Sequence, residues 1–224
     1  MIDHQHRGDV VTVAGEPGAS RDNYYEWTSA GPADNHGYLV PGVLRALGPP
    51  GGRLLDIGCG NGALTAALAG AGWEVTGIDF EEHGIALARA AHPGAAFAVH
   101  DIYEPLPEAL RGRYDAVLSA EVIEHLFLPR EVFARAREAL GGRGTVTVTT
   151  PYHGYAKNLA IAVTGRFDQH WSPRSDYGHI KFFSRRTLGA LARECGVEPV
   201  RWERIGRIPP LAASMVMTGE LRPA

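Results

Sequence analysis

An α/β fold with a doubly wound, mostly parallel sheet is what the sequence predicts, and three observations carry that prediction. Short apolar runs at 53–57, 74–80, 95–99, 114–120 and 144–150 alternate with helix-patterned segments. Such alternation is the mark of strand–helix–strand units and a parallel sheet. The first run feeds a glycine-rich turn, L-L-D-I-G-C-G-N-G at 54–62, and a helix pattern opens at Ala63. Finally, Asp56, Asp79 and Asp101 fall at the C-terminal ends of three successive runs, the edge of an open α/β sheet where ligands bind.

Taken in order, residues 1–20 are rich in Gly, Asp and His without periodicity and read as a flexible lead-in. Residues 21–224 read as a single domain. Aromatic and apolar residues return at 23–47 (Tyr24, Tyr25, Trp27, Tyr38, Leu39, Val43, Leu44), which predicts one or two helices before the first strand. The strand at 54–57 ends in glycines at alternate positions, and a helix follows at 63–68. The second strand, 74–80, ends at Asp79-Phe80, and a helix at 81–91 leads to the third strand, which ends at His100-Asp101-Ile102. The fourth strand is 114–120, and the fifth, 144–150, is stopped by Pro151. Residues 151–183 break the rhythm with aromatic, His and Gly residues around a short apolar stretch at 159–163. They read as an insertion over the strand ends that shapes an acceptor pocket, with Tyr152, Tyr155, Lys157, Trp171 and Arg174 as lining candidates. Ser184 and Gly196 bracket a further helix as N-cap and C-cap.

Composition excludes several classes. The chain has 224 residues, ordinary composition, and a formal net charge of −3, which gives no overall basic footprint for nucleic acid. No apolar run is long enough to span a bilayer, and the N-terminal residues are polar and His-rich. Cys59 and Cys195 are too far apart in sequence to suggest a disulfide framework, so a reduced, cytoplasmic setting is expected. Cys59 sits inside the glycine turn and reads as a packing residue.

The glycine turn narrows the ligand. A dinucleotide fold uses G-x-G-x-x-G to place a helix N-terminus on a pyrophosphate. Here the pattern is D-x-G-x-G-x-G across Asp56, Gly58, Gly60 and Gly62, with Cys59 and Asn61 between. A carboxylate just before the turn repels a pyrophosphate and suits a ligand bearing ammonium and sulfonium groups, as S-adenosylmethionine (SAM) does. Asp79, followed by Phe80, is placed to accept from ribose hydroxyls. Asp101 is placed to accept from an adenine amino group, with Ile102 packing on the ring.

With these motifs in sequence, the chain resembles the class I SAM-dependent methyltransferases, strongly over 50–150 and weakly elsewhere. The resemblance implies a Rossmann-like, seven-stranded sheet closed by an antiparallel hairpin, which the tail at 199–220 would supply with Pro209-Pro210 at its turn. It also implies SAM as cofactor and an N-terminal segment that lids it.

After the fourth strand comes Glu121-Val122-Ile123-Glu124-His125-Leu126. As a helical turn, it would place Glu121, Glu124 and His125 on one face at i, i+3 and i+4, a set able to bind a divalent cation. His179 is the candidate fourth ligand. The E-x-x-E-H pattern is similar to that of the ubiquinone-pathway O-methyltransferases and of the RNA 3′-end 2′-O-methyltransferases. In both, the resemblance implies a metal, Mg or Mn, that holds acceptor hydroxyls beside the methyl group. The later histidine departs from the RNA enzymes' H-K-F context, since Ile180 stands between His179 and Lys181. In metal-free relatives the first Glu, here Glu121, contacts the methionine end of SAM, and the histidine is structural or a base. A hydroxyl acceptor must lose its proton; His125 fits the base of the metal-free version, and His153, His170 and His179 are the other candidates. The expected function is methylation of a small-molecule hydroxyl in quinone, sugar or secondary-metabolite biosynthesis. The alternatives are a metal-dependent RNA 2′-O-methyltransferase and a non-catalytic SAM-binding partner subunit. Oligomeric state, monomer or homodimer, stays open.

Overall fold

The structure, a computed structural model, describes residues 27–171 and 178–222. The proposed lead-in at 1–20 and the candidates Tyr24, Tyr25 and Arg174 lie outside the described residues. The elements are α1 (His36–Leu47), β1 (Arg53–Ile57), α2 (Ala63–Gly70), β2 (Glu74–Asp79), α3 (Glu82–Ala91), β3 (Ala96–Val99), β4 (Ala116–Ala120), α4 (Arg130–Leu140), β5 (Thr145–Pro151), α5 (Tyr155–Val163), α6 (Arg185–Glu194), β6 (Val197–Ile205) and β7 (Ser214–Leu221).

All seven strands join one sheet in the order β3-β2-β1-β4-β5-β7-β6. β1 to β5 pair in parallel. β7 inserts antiparallel between β5 and β6 and forms the C-terminal hairpin with β6. Pro209 opens a single 3₁₀ turn, Pro209–Leu211, in the hairpin's connection. The expected α/β architecture, mostly parallel with an antiparallel C-terminal hairpin, is the one found. Strand order reverses between β1 and β4, and at that switch point the connections leave to opposite faces and open a crevice at the strand ends.

Alternate strand residues explain the two-sided covering. Leu55, Val117, Val146, Val148, Met215 and Met217 face one way and bury Phe133 of α4 and Leu188 of α6. Leu54, Val75, Leu118 and Val216 face the other and bury Leu39 and Val43 of α1 and Leu64 and Leu68 of α2. A strand buried on both faces reads as a continuous apolar run, as β1 and β4 do. Ser184 caps α6, accepting from Thr187 N at 3.3 Å in a reciprocal capping box. Gly196 follows that helix at φ 78°, the left-handed turn that sequence reading assigns it.

Phe133, with 0 % of its surface exposed, anchors α4 to the sheet. Phe133→Ala is expected to destabilise the protein by about 3–5 kcal/mol, measured as a shift of the urea midpoint at unchanged slope.

Candidate active site

At the switch point lies a cavity of about 620 Å³, within the usual range for small-molecule sites. The β1–α2 loop forms its floor, with Gly58, Gly60 and Gly62 at φ 80°, 54° and 76°. At Gly62 a Cβ would lie 2.7 Å from both Ala88 Cβ and Phe97 Cε1, and at Gly60 it would collide with the Trp27 indole. Side chains are therefore excluded at both positions, and the backbone passes close to the cavity. Asn61 is buried, and its Nδ2 donates to Ser29 O at 2.9 Å and Gly31 O at 2.8 Å. Its contribution is to hold the preceding segment and Trp27 in place. Cys59 lines the same floor and is buried. Burial pushes its thiol far above the ordinary range, consistent with packing and not with a reactive thiolate.

The acids at the strand ends differ in placement. Asp56 is 1 % exposed and accepts from Thr65 Oγ1 at 2.7 Å. Burial pushes it up to about 7, against the pull of that hydroxyl, and the nearby Asp79 charge adds to the rise. Asp79 is fixed through both carboxylate oxygens, by Gly60 N and Glu81 N at 2.9 Å each. Burial raises it too. Phe80 lines the cavity and is 53 % exposed. At the end of β3, His100 and Ile102 line the cavity but Asp101 does not. Its carboxylate is exposed and accepts from Tyr103 N at 2.9 Å, turning the chain.

The segment after β4 departs from the expected helical turn. Only Ile123–His125 forms a 3₁₀ turn, and Glu121 precedes it at φ 56°, alone among the described non-glycine residues in the left-handed region. The three side chains therefore do not share a helical face. The reason is the close of β4: Glu121 N is still bonded to Thr149 O of β5 at 3.1 Å, so the chain must reverse sharply at this residue. A non-glycine residue held there stores strain of about 1–3 kcal/mol. Glu121 is kept by Thr149 Oγ1, donating at 2.7 Å, and Ser214 Oγ at 3.1 Å. Burial raises it to about 7, against these hydroxyls and the Lys157 charge.

Glu124 is fully buried. Its Oε2 accepts from Thr150 Oγ1 at 2.9 Å, and its backbone carbonyl accepts from Ile180 N and Lys181 N. Those two backbone bonds bring the end of the 151–183 segment to the site. His125 and His179 pack edge to face with centroids 4.8 Å apart. His179 Nε2 lies 4.0 Å from Glu124 Oε1, a buried oxygen without a hydrogen-bond donor. This contact is not an ion pair at neutral pH. Burial and the charge of His125 hold His179 down at about 4, while burial and the Glu121 charge hold Glu124 well above the carboxylate range. Of the four expected metal ligands, the structure gathers Glu124, His125 and His179, with ligand atoms within 4.8 Å of one another. Glu121 stands outside this group because Thr149 and Ser214 hold it.

Sequence reading missed the hydroxyls that satisfy these carboxylates. The doublet Thr149-Thr150, both 0 % exposed where the Thr-Val alternation of β5 breaks, was the available signal. It also gave no role to Arg207, which lines the cavity with Lys157, His153 and His170.

Comparison with known proteins agrees with this geometry. The Methyltransferase domain family matches residues 33–201. The Cereibacter sphaeroides ubiquinone biosynthesis O-methyltransferase is 34 % identical over 152 residues, 66 % of this chain and 61 % of that protein. The chain thus matches about three-fifths of that relative's length. The Pseudomonas aeruginosa protein of the same name is 32 % identical over 159 residues, covering 70 % and 68 %. Among solved structures, the Synechocystis magnesium protoporphyrin IX methyltransferase superposes with a TM-score of 0.60 at 18 % identity, over 82 % of this chain and 80 % of that one. The chain belongs to the methyltransferase domain family, as a class I, SAM-dependent member.

The buried acids set a pH dependence. Asp56 and Glu121 sit at about 7 in the fold, against ordinary values of 3.8 and 4.5. Between those values the folded chain keeps protons that the unfolded chain has released, so stability falls as pH rises through the window. The melting temperature of the ligand-free protein is expected to decline from about pH 5 to about pH 8. Asp56→Asn, which cannot ionise, should make the decline shallower in thermal scans across that range.

Proposed function

We propose that this chain transfers the methyl group of SAM to a hydroxyl oxygen of a small-molecule acceptor. The observation that carries the reading is that one cavity joins the glycine loop to the paired histidines. The relatives named for ubiquinone biosynthesis O-methylation support a hydroxyl on a quinone-like or phenolic acceptor. The net charge of −3 weighs against RNA. The reading places the protein in a reducing cytoplasm, consistent with two free cysteines among the described residues. No helix among the described residues is long and apolar enough to cross a membrane.

The residues fit SAM. The backbone of Gly58 and Gly60 lines the cavity without side chains, and Asp56, Asp79 and Glu121 supply negative or acceptor groups toward an ammonium, a sulfonium and ribose hydroxyls. Phe80 and Ile102 offer apolar surface to a ring. When bound, SAM supplies an already activated methyl group, so the protein's task is alignment and proton removal. The described residues of the 151–183 segment, Pro151, His153, Lys157, His170, Gly178 and His179 among them, form the acceptor side. His125 and His179 face the acceptor, and His125 takes the hydroxyl proton, since His179, held down at about 4, is a weak base at neutral pH.

A second reading adds a divalent cation, and the uncapped Glu124 Oε1 beside two imidazoles favours it. Glu124, His125 and His179 would hold the ion. It would lower the acceptor's hydroxyl pKa.

Two tests follow. Transfer of labelled methyl from SAM to simple catechols should fall by about 10²–10⁴-fold in His179→Ala and in His125→Ala, while calorimetry finds S-adenosylhomocysteine affinity preserved. Chelation followed by Mg or Mn addition should abolish and restore turnover under the second reading. Unchanged turnover in chelator removes the metal and leaves the histidine base.

A further inference from the structure

The cavity carries charge of both signs. Asp56 and Asp79 lie at the glycine-loop end, and Glu121 accepts from Ser214, the residue after Ala213, whose carbonyl accepts from Lys157. The opposite wall, built from α5, the turn at Phe167–Gln169 and the β6–β7 connection, presents Lys157, Arg207, His153 and His170. Lys157 is only 7 % exposed, and its Nζ makes a single hydrogen bond, to Ala213 O at 3.2 Å. Among the described residues no carboxylate lies within ion-pair distance of Lys157 or of Arg207. The nearest acid in effect, Glu121, has both oxygens taken by Thr149 and Ser214. Glu121 is thus the one acid acting on this ammonium, and it makes no ion pair with it, so a ligand anion in direct contact would offset the cost of burying Lys157. The wall is cationic enough that its members disfavour one another's charge: burial and Arg207 push Lys157 down, and burial, Lys157 and Arg207 push His170 down.

We propose, on the methyl-transfer reading above, that Lys157 and Arg207 form an anion-binding end of the acceptor chamber, and that the acceptor bears a carboxylate besides the hydroxyl that is methylated. Lys157 projects from the insertion and Arg207 from the hairpin connection, so the carboxylate bridges two elements at the end of the chamber away from Asp56 and Asp79. The acceptor is thereby oriented with its anion toward α5 and its hydroxyl toward His125 and His179. A neutral phenol would leave the ammonium unpaired and bind more weakly. The other carboxylate within reach is that of the methionine moiety of SAM, and the test separates the two sources.

The test is calorimetry on the protein saturated with S-adenosylhomocysteine, titrated with 3,4-dihydroxybenzoate and separately with its methyl ester. The acid should bind about ten- to a hundredfold more tightly than the ester, the worth of one charge-assisted contact. Lys157→Met should cut the acid's affinity about tenfold or more and leave S-adenosylhomocysteine affinity unchanged. Arg207→Ala, on an exposed connection where folding is not at stake, should act in the same direction. Equal affinity for acid and ester, or binding of neither, overturns the proposal. So does a loss of S-adenosylhomocysteine affinity in the variants with the acid unaffected, which would assign the cations to the donor. Label transfer to the same two compounds separates the readings. Acid binding without transfer defeats the hydroxyl-methylation reading alone, and transfer without preference for the acid defeats this inference alone.

Discussion

Four carboxyl groups, buried at Asp56 and Glu124 and half-buried at Asp79 and Glu121, meet at the C-terminal edge of one sheet, and the architecture around them is arranged to tolerate this. Burying an ionised carboxylate costs several kcal/mol unless donors replace its water. Here the donors are short and local: Thr65 for Asp56, Gly60 N and Glu81 N for Asp79, Thr149 and Ser214 for Glu121, and Thr150 for Glu124. None is a charged partner, so burial wins and the carboxyls are shifted upward. A ligand carrying positive charge reverses that balance, and the site is prepared for one by leaving its acids unpaired.

The fold was legible because its signals are periodic and local. The buried strands β1 and β4 are continuous apolar runs, β5 alternates Thr and Val, and the glycine loop needs its glycines for steric reasons visible at Gly60 and Gly62. The cofactor end was legible for the same reason, since Asp56 and Asp79 follow directly from strand ends. The acceptor end was less so. Whether Glu121 shares a face with Glu124 and His125 depends on one backbone angle, and nothing in E-V-I-E-H announces a left-handed residue where a helical turn is equally compatible. The meeting of His179 with His125 depends on backbone bonds from Ile180 and Lys181 to Glu124, across more than fifty intervening positions. Arg207 reaches the cavity only because β7 inserts between β5 and β6. Such long-range placements are set by topology and leave no local trace.

The two ends of the chamber are built from different kinds of structure. One end is made by parallel strands and their turns. The other is made by α5, the following turn and the hairpin connection, which hang on that scaffold; the family match at 33–201 takes in α5 and the turn and leaves out the hairpin connection. Loops on a rigid frame are where specificity is set. The acids lining the cavity come from strand ends and the cations from the appended segments.

The amide of Asn61 sets a cost on opening one edge of the cavity. By donating to Ser29 O and Gly31 O, it fastens the chain ahead of α1 onto the glycine loop, where Trp27 packs on Gly60. Undoing that fastening sacrifices two hydrogen bonds, each worth about 1 kcal/mol net, together with the indole's packing. Local opening at this edge is thus restrained in part by one amide side chain.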